Sequence, residues 1–132
     1  MKVGNYIRAI KKSFKIKDLG DMKYCLGIEI NRNRSKKIIT MSQLGYINKI
    51  AEKFGLQDCK PIYTPADYNS QLSKRDPDDT RPIEGKYRAL VGSIMYAMVC
   101  TRPDIANSVG TVAKYCENPS EEHWVAAKRI ST

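Results

Sequence analysis

The sequence of 132 residues contains few of the side chains from which metal sites are built. It has a single histidine, His123, and four cysteines that lie far apart in the chain and form no Cys-x-x-Cys pair. A structural zinc site needs about four ligands at characteristic spacings, so we expect no metal site. No run approaches the roughly 20 apolar residues that a membrane span requires, so we expect no membrane partner. The first residues, MKVGNYIRAIKKSF, lack the apolar run of a secretory signal, which predicts an intracellular protein, cytoplasmic or nuclear, with reduced thiols.

Recognisable catalytic motifs are also absent from the sequence. It contains no glycine-rich phosphate-binding loop, no Gly-x-Ser-x-Gly and no His-Glu-x-x-His. Asp76, Asp78 and Asp79 form a carboxylate cluster, but they lie in a charged, proline-flanked stretch that is typical of a solvated loop. Two-metal catalysis needs carboxylates held on rigid elements, so we assign no catalytic residue.

Positively charged residues are abundant and lie mostly in the first half of the sequence. The net charge is +9, and residues 1–60 contain 14 Lys and Arg against 5 Asp and Glu. Residues 61–132 contain 9 of each, so the whole excess belongs to the first half. A one-sided basic surface favours a polyanion as partner, although a solvated surface is the alternative.

The first half of the chain alternates between helical and extended patterns. Apolar residues at helical spacing predict an amphipathic helix over residues 5–14. Strict alternation predicts a half-buried strand over residues 22–30, and a second strand over 38–41 follows the basic turn 31–37, which together indicate an antiparallel hairpin. Ser42 is placed to begin a helix that Gly55 ends.

The second half is predicted to be mostly helical after an irregular loop over residues 57–85, in which turn residues and prolines are frequent. Helices are then predicted from Tyr87, after Arg102-Pro103 and after Ser120. The apolar stripe of the first of these helices comprises Tyr87, Leu90, Val91, Ile94, Met95 and Met98. The chain is therefore assigned to the α+β class, with an antiparallel hairpin and a flanking helix followed by a mostly helical region.

Several short segments resemble, in the same order, the end of the palm and the thumb of copia-type reverse transcriptases, which are parts of retrotransposon Pol polyproteins. Each segment alone is weak, but together they cover nearly the whole chain. They are Phe14-x-x-x-Asp18-Leu19-Gly20, Tyr24-Cys25-Leu26-Gly27-Ile28-Glu29-Ile30, Gln43-x-x-Tyr46-Ile47, Phe54-Gly55-Leu56, Thr64-Pro65, Tyr87-Arg88-x-x-Val91-Gly92-Ser93-x-x-Tyr96, Thr101-Arg102-Pro103-Asp104-Ile105 and His123-Trp124-x-Ala126-x-Lys128-Arg129-Ile130.

The resemblance implies two regions, the end of the palm over residues 1–41 and a thumb-like or connection-like helical region over residues 42–132. It implies a primer-grip-like hairpin at Leu26, Gly27, Ile28 and Glu29. Candidate nucleic-acid contacts on the basic turn are Arg32, Arg34, Lys36 and Lys37. Candidate contacts on the predicted thumb helix are Arg88, Gly92, Ser93 and Tyr96.

The implied parent protein is an RNA-directed DNA polymerase, and its metal-binding Tyr-x-Asp-Asp segment does not occur in this sequence. We therefore expect Mg²⁺ only for the complete enzyme, and we expect this chain alone to be inactive. The expected partners are a template–primer duplex and the remainder of the polyprotein. Two alternatives remain open, a domesticated basic module that binds nucleic acid and a remnant without function.

Overall fold

The computed structural model describes residues 3–67, 71–76 and 84–131, and within them the chain forms five α-helices and one three-stranded sheet. This arrangement confirms the α+β class. A single turn of 3-10 helix, Pro103–Ile105, precedes the fourth helix. The elements are α1 (Val3–Ser13), β1 (Tyr24–Cys25), β2 (Ile28–Asn33), β3 (Ile38–Ser42), α2 (Leu44–Phe54), α3 (Glu84–Cys100), α4 (Ala106–Ala113) and α5 (Glu121–Ser131).

The sheet is antiparallel throughout, with strand order β1-β2-β3. The predicted hairpin between β2 and β3 is confirmed, with a register that runs from Glu29 opposite Ser42 to Asn33 opposite Ile38. The prediction of one continuous strand over residues 22–30 was wrong. The chain reverses at Leu26 and Gly27, which have φ angles of +50° and +80°, and Cys25 pairs with Ile28 across this two-residue turn. Two positive φ angles are what a tight hairpin turn between right-twisted strands requires.

Helix α2 ends where the sequence predicts, but Gln43 rather than the predicted Ser42 is the residue immediately before it. The hydroxyl of Ser42 accepts a hydrogen bond of 3.2 Å from the backbone N–H of Leu44. At the other end Gly55 adopts a left-handed φ of +66°, and the N–H of Leu56 donates to the carbonyl of Ala51 at 2.7 Å. Glycine reaches this conformation at no steric cost, so the helix ends there.

The buried core lies among α3, α4 and α5, with Ile50 from α2 packed against them. Most of the predicted apolar stripe of α3 is buried, but the assignment of Met95 to it was wrong, since 43% of that side chain is exposed. Ala97 is buried instead, because it follows Leu90 and Ile94 at helical spacing. The fully enclosed side chains with the largest volumes are Tyr87, Leu90, His123, Val91, Val109 and Pro119.

Two side chains of α3 bind backbone carbonyls near the end of α4. The hydroxyl of Tyr87 donates to the carbonyl of Val112, and Nε of Arg88 donates to the carbonyl of Cys116, each at 2.7 Å. Burial raises the pKa of Tyr87 well above its ordinary value, so the phenol stays protonated and keeps donating. The carbonyl of Val112 also accepts a hydrogen bond from the N–H of Tyr115 at 3.1 Å, so Tyr87 adds a second bond there, whereas Arg88 binds a carbonyl beyond the last residue of α4.

The start of α5 is built around His123, which is fully buried. Its Nδ1 accepts a 2.8 Å hydrogen bond from the N–H of Ser120, three residues earlier, and its ring stacks on Tyr115 with centroids 3.9 Å apart. Ser120 is therefore the residue before the helix, as predicted, but its hydroxyl meets His123 rather than a backbone N–H. His123 is an interior residue whose polar group organises a helix start.

The first helix and the sheet lie outside this core. No residue of α1 is buried, and apolar side chains on β3 are half exposed, with Ile39 at 59% and Met41 at 50%. Within the predicted irregular loop over residues 57–85, residues 57–67 and 71–76 contain neither helix nor strand, while residues 68–70 and 77–83 lie outside the described residues. The assignment of residues 84 and 85 to this loop was wrong, because α3 already begins there. The division of the chain near residue 41 stays a prediction. None of the helices in the described ranges is long and apolar enough to cross a membrane.

Candidate nucleic-acid interface

The basic turn between β2 and β3 carries the four cationic side chains that the sequence singled out. Arg32, Arg34, Lys36 and Lys37 are all exposed. The turn is ordered by Asn33, whose side-chain oxygen accepts hydrogen bonds from the N–H of Lys36 at 3.0 Å and from the hydroxyl of Ser35 at 2.7 Å. Lys37 has a φ of +54°, which completes the reversal. A shallow depression of about 350 Å³ lies between the arms of the turn, lined by Arg32, Asn33, Arg34, Lys37, Ile38 and Ile39.

The four cations of this turn differ in whether a nearby carboxylate already binds them. The guanidinium of Arg34 lies 2.7 Å from the carboxylate of Asp21, and both side chains are more than 60% exposed. Exposed ion pairs contribute little stability and exchange readily with solvent, so a phosphate could displace Asp21. The structure gives no ion pair for Arg32, Lys36 or Lys37 among the described residues. Chemically the turn can supply cations to a phosphate backbone without reading a base sequence.

The turn at Leu26 and Gly27 is held against the helical core. The hydroxyl of Tyr96, on α3, donates a hydrogen bond to the backbone carbonyl of Leu26. A Cβ atom on Gly27 would lie 4.0 Å from the ring of Tyr96 and 4.0 Å from the ring of Tyr46, so the turn rests on both aromatic side chains. The side chain of Leu26 itself points away and is 80% exposed.

The remaining two members of the predicted primer-grip-like group occupy different positions. Ile28 is half-buried, and Glu29 is exposed opposite Ser42 of β3. An oxygen of Glu29 lies 3.8 Å from where a Cβ of Gly45 would be, so Glu29 approaches the start of α2. The four residues therefore form a turn with its first strand residues rather than the middle of a strand.

Tyr46 and Tyr96 form the contact between α2 and α3 at this place. Their rings meet edge to face, with centroids 5.0 Å apart and an interplanar angle of 77°. The hydroxyl of Tyr46 donates to the carbonyl of Ser93 at 3.1 Å. A hydrogen bond with the thiol of Cys100 raises the pKa of Tyr96 above its ordinary value of 10.0.

The four candidate residues on α3 fall into three environments. Tyr96 is part of the ring contact with Tyr46, and the carbonyl of Ser93 accepts the hydrogen bond from Tyr46. The hydroxyl of Ser93 also donates to the carbonyl of Ala89 at 2.8 Å. Gly92 is exposed, and a Cβ placed on it would meet no atom within 4 Å. Arg88 is exposed but its Nε is committed to the carbonyl of Cys116. The structure thus joins Tyr96 to the Leu26–Gly27 turn and Ser93 to Tyr46, and it leaves Gly92 exposed on α3.

Gln43 and Tyr46 were not among the candidate site residues predicted from the sequence, although both hold α2 against α3 in this region. Only 3% of Gln43 is exposed, and its side-chain oxygen accepts a 2.6 Å hydrogen bond from the hydroxyl of Thr101, just beyond α3. Both residues lie in the segment Gln43-x-x-Tyr46, whose resemblance to the family was visible. A polar residue at the start of an amphipathic helix is an ordinary surface pattern, so only the fold reveals that both face α3.

The described residues offer no place for the Mg²⁺ that the family implies. Across residues 3–67, 71–76 and 84–131, no group of three His, Cys, Asp or Glu side chains lies close enough together to hold a metal ion. Of the acidic cluster in the sequence, Asp76 is exposed, while Asp78 and Asp79 lie outside the described residues. This part of the chain does not fit the two-metal site that phosphoryl transfer needs.

Comparison with known proteins gives a consistent result. Residues 2–68 match the family model described as reverse transcriptase (RNA-dependent DNA polymerase). Over 126 residues the chain is 44% identical to a retrovirus-related Pol polyprotein from transposon TNT 1-94 of Nicotiana tabacum, covering 92% of this chain and 10% of that polyprotein. It is 34% identical over 127 residues to the Pol polyprotein from transposon RE1 of Arabidopsis thaliana, covering 96% of this chain and 8% of that polyprotein.

A third relative is much shorter. An uncharacterized mitochondrial protein of Arabidopsis thaliana is 33% identical over 126 residues, which cover 92% of this chain and 48% of that protein. No solved structure matches the chain. The chain spans at most about a tenth of the length of the two polyproteins and about half of the mitochondrial protein.

Proposed function

The chain belongs to the reverse transcriptase (RNA-dependent DNA polymerase) family and corresponds to a region of copia-type Pol polyproteins, and we propose that this region positions a template–primer duplex for the polymerase. In this proposal the Leu26–Gly27 turn acts as the primer grip and α3 acts as the thumb helix. The rest of the polyprotein supplies the catalytic carboxylates and their Mg²⁺. The setting is the cytoplasm or the nucleus.

The distribution of charge is the observation that carries the proposal. The whole net charge of +9 belongs to residues 1–60, and the basic turn presents four exposed cations on a short hairpin. Phosphate contacts position a protein on a duplex without reading its sequence, which is what a polymerase needs from a region that handles any template. The half-exposed apolar residues of β3 support a further partner, the remainder of the polyprotein, because free monomers rarely expose contiguous apolar surface.

The experiment compares two variants that lose the same charge from different halves of the chain. In the first, Arg32, Lys36 and Lys37 are replaced by Gln; in the second, Lys74, Lys86 and Lys114 are replaced by Gln. All six side chains are exposed, so neither variant should disturb the core. Binding of a labelled RNA–DNA hybrid is measured at several salt concentrations. Each lost phosphate contact should reduce the slope of log affinity against log salt by about one.

We expect the first variant to bind more weakly, with a flatter salt dependence, and the second to resemble the unmodified chain. Equal slopes in all three proteins would show that the basic turn does not contact phosphate. Equal weakening in both variants would indicate a general effect of net charge. Absence of binding by the unmodified chain at low salt would reject nucleic-acid positioning altogether.

A second candidate function is a free-standing basic module that binds nucleic acid, derived from such an element. The mitochondrial relative favours it, since a related segment there makes up about half of a much shorter protein. Such a module would be encoded with its own promoter and stop codon, whereas a polyprotein segment is flanked by further coding sequence for the same polyprotein. A remnant without function would be poorly soluble when expressed alone. Reading the flanking genomic sequence and its transcripts separates these cases.

A further inference from the structure

We infer that Tyr96 is a positioning residue: it holds the Leu26–Gly27 turn on α3, so that the turn and the open surface around Gly92 form one continuous strip for a duplex. This inference rests on the proposed function, in which the chain holds a template–primer duplex. The inference adds two features to that proposal: Tyr96 determines where the turn lies, and the surface of α3 around Gly92 contacts the duplex together with the turn.

The turn needs an external contact because its own geometry does not hold it firmly. Leu26 has a φ of +50°, a conformation that residues with a Cβ seldom adopt. Strand β1 forms only two residue pairs with β2, and one further backbone hydrogen bond, from the N–H of Ile30 to the carbonyl of Lys23 at 2.8 Å, joins the two arms. Such a short hairpin is at best marginally stable alone. The hydrogen bond from Tyr96 to the carbonyl of Leu26 anchors the peptide unit that joins Leu26 to Gly27.

Tyr46 supports the ring of Tyr96 from the other side. The edge-to-face contact at 5.0 Å holds the two rings together, and the bond from Tyr46 to the carbonyl of Ser93 fixes Tyr46 to α3. Each hydroxyl therefore has a different task. That of Tyr46 joins α2 to α3, whereas that of Tyr96 joins the turn to α3, and this difference makes the two tyrosines a matched pair for experiment.

The strip follows from helix geometry. Gly92 precedes Tyr96 by four residues, so it lies one helical turn away on the same face of α3, about 5–6 Å along the surface. Gly92 and Ala89 are exposed, and nothing approaches within 4 Å of a Cβ placed on Gly92. Leu26, whose side chain is exposed, belongs to the turn that the hydroxyl of Tyr96 binds. A row of small residues allows a close approach by a duplex groove.

The experiment uses the complete chain and two substitutions, Tyr96→Phe and Tyr46→Phe. Each removes one hydroxyl and keeps the ring pair. Three quantities are measured: affinity for an RNA–DNA hybrid, affinity for single-stranded RNA of the same sequence, and amide hydrogen exchange at Ile30, whose N–H donates across the hairpin to the carbonyl of Lys23 at 2.8 Å. Melting temperature is recorded as a check on folding.

We expect Tyr96→Phe to weaken hybrid binding about threefold to tenfold, the range of one lost hydrogen bond. Affinity for the single strand should change little, because the basic turn still contacts phosphate. Exchange at Ile30 should become faster, because the hairpin opens more readily when its turn is released. Tyr46→Phe should leave both the hybrid preference and the exchange at Ile30 near the values of the unmodified chain.

Equal effects of the two substitutions on hybrid preference and on exchange at Ile30 would overturn the inference, as would a lower melting temperature with unchanged preference. If the unmodified chain binds no hybrid, the proposed function fails and the duplex strip fails with it. Faster exchange at Ile30 in Tyr96→Phe alone would even then establish that Tyr96 positions the turn.

Discussion

The hydroxyl of Tyr96 donates to the backbone carbonyl of Leu26, and this bond joins a hairpin turn to a helix 70 residues later in the chain. Together with the ring of Tyr46, it ties the small sheet to the helical core. No sheet residue belongs to the buried cluster formed by α2, α3, α4 and α5 among the described residues. The orientation of the hairpin therefore depends on a few polar and aromatic contacts, which suits a region whose position on a partner has to be set accurately.

The burial of α3 predicts different costs for two neighbouring substitutions. Ile94 is 3% exposed within the core, so Ile94→Ala should reduce the free energy of unfolding by about 2–5 kcal/mol. Met95 is 43% exposed, and Met95→Ala should change it by no more than about 0.5 kcal/mol. Urea denaturation followed by circular dichroism measures both. Comparable losses for the two variants would mean that the buried face of α3 is rotated toward Met95.

The sequence predicted local structure well and non-local contacts poorly, and the reason is physical. The helix end at Gly55 and the strands β2 and β3 depend on residues that are close together in the sequence, so a local pattern is enough to predict them. The turn at Leu26 was missed because alternation continues through it, and two short strands joined by two residues show the same pattern as one longer strand. Exposure of Met95 and the contact of Tyr46 with Tyr96 depend on how helices pack, which no short pattern specifies. The cations of the basic turn were identified from the sequence because charged residues can be counted without knowledge of the fold.

Burial of His123 predicts a loss of stability in mildly acidic solution. Burial desolvates the ring of His123 and lowers its pKa below the ordinary value of 6.5, although a backbone hydrogen bond with Ser73 and the charge of Glu122 act in the opposite direction. The unfolded chain therefore binds the proton more readily than the folded chain. This contribution to stability is fully present above pH 6.5 and is lost as the pH falls from there toward the folded-state pKa.

Free energies of unfolding measured at pH 7.5 and pH 5.0 test this dependence, with His123→Gln as the control. Glutamine can also accept a hydrogen bond from the N–H of Ser120 but does not titrate. We expect the unmodified chain to be less stable at the lower pH and the variant to change less between the two. The same pH dependence in both proteins would assign the effect to other groups.

The chain alone should not extend a primer. The described residues hold no group of His, Cys, Asp or Glu that could bind a metal ion, and the sequence has no Tyr-x-Asp-Asp segment, so we expect this chain not to hold the two ions that phosphoryl transfer requires. Incubation with an oligo-dT primer on poly-A template, nucleotides and either Mg²⁺ or Mn²⁺ should yield no product. A complete reverse transcriptase serves as the positive control. Reproducible extension by the purified chain would contradict this expectation.

Replacement of Gly92 should weaken binding of the hybrid without lowering the melting temperature of the chain. Since nothing lies within 4 Å of a Cβ at this position, Gly92→Leu should fit without a clash. Leucine is the better helix former by up to about 1 kcal/mol, so the melting temperature should hold or rise. A bulky side chain in the middle of the open strip should at the same time keep a duplex away from α3 and weaken hybrid binding.

Gly110 on α4 provides the matched control, because it is also exposed in a helix and also has no atom within 4 Å of a Cβ. Gly110→Leu should produce a similar change in melting temperature and leave hybrid affinity unchanged. If both leucines weaken binding equally, added apolar surface is the cause and not its location on α3. If Gly92→Leu instead lowers the melting temperature, a helix packs against this face in the free protein, since overpacking costs about 1–3 kcal/mol, and the surface is not available to a duplex.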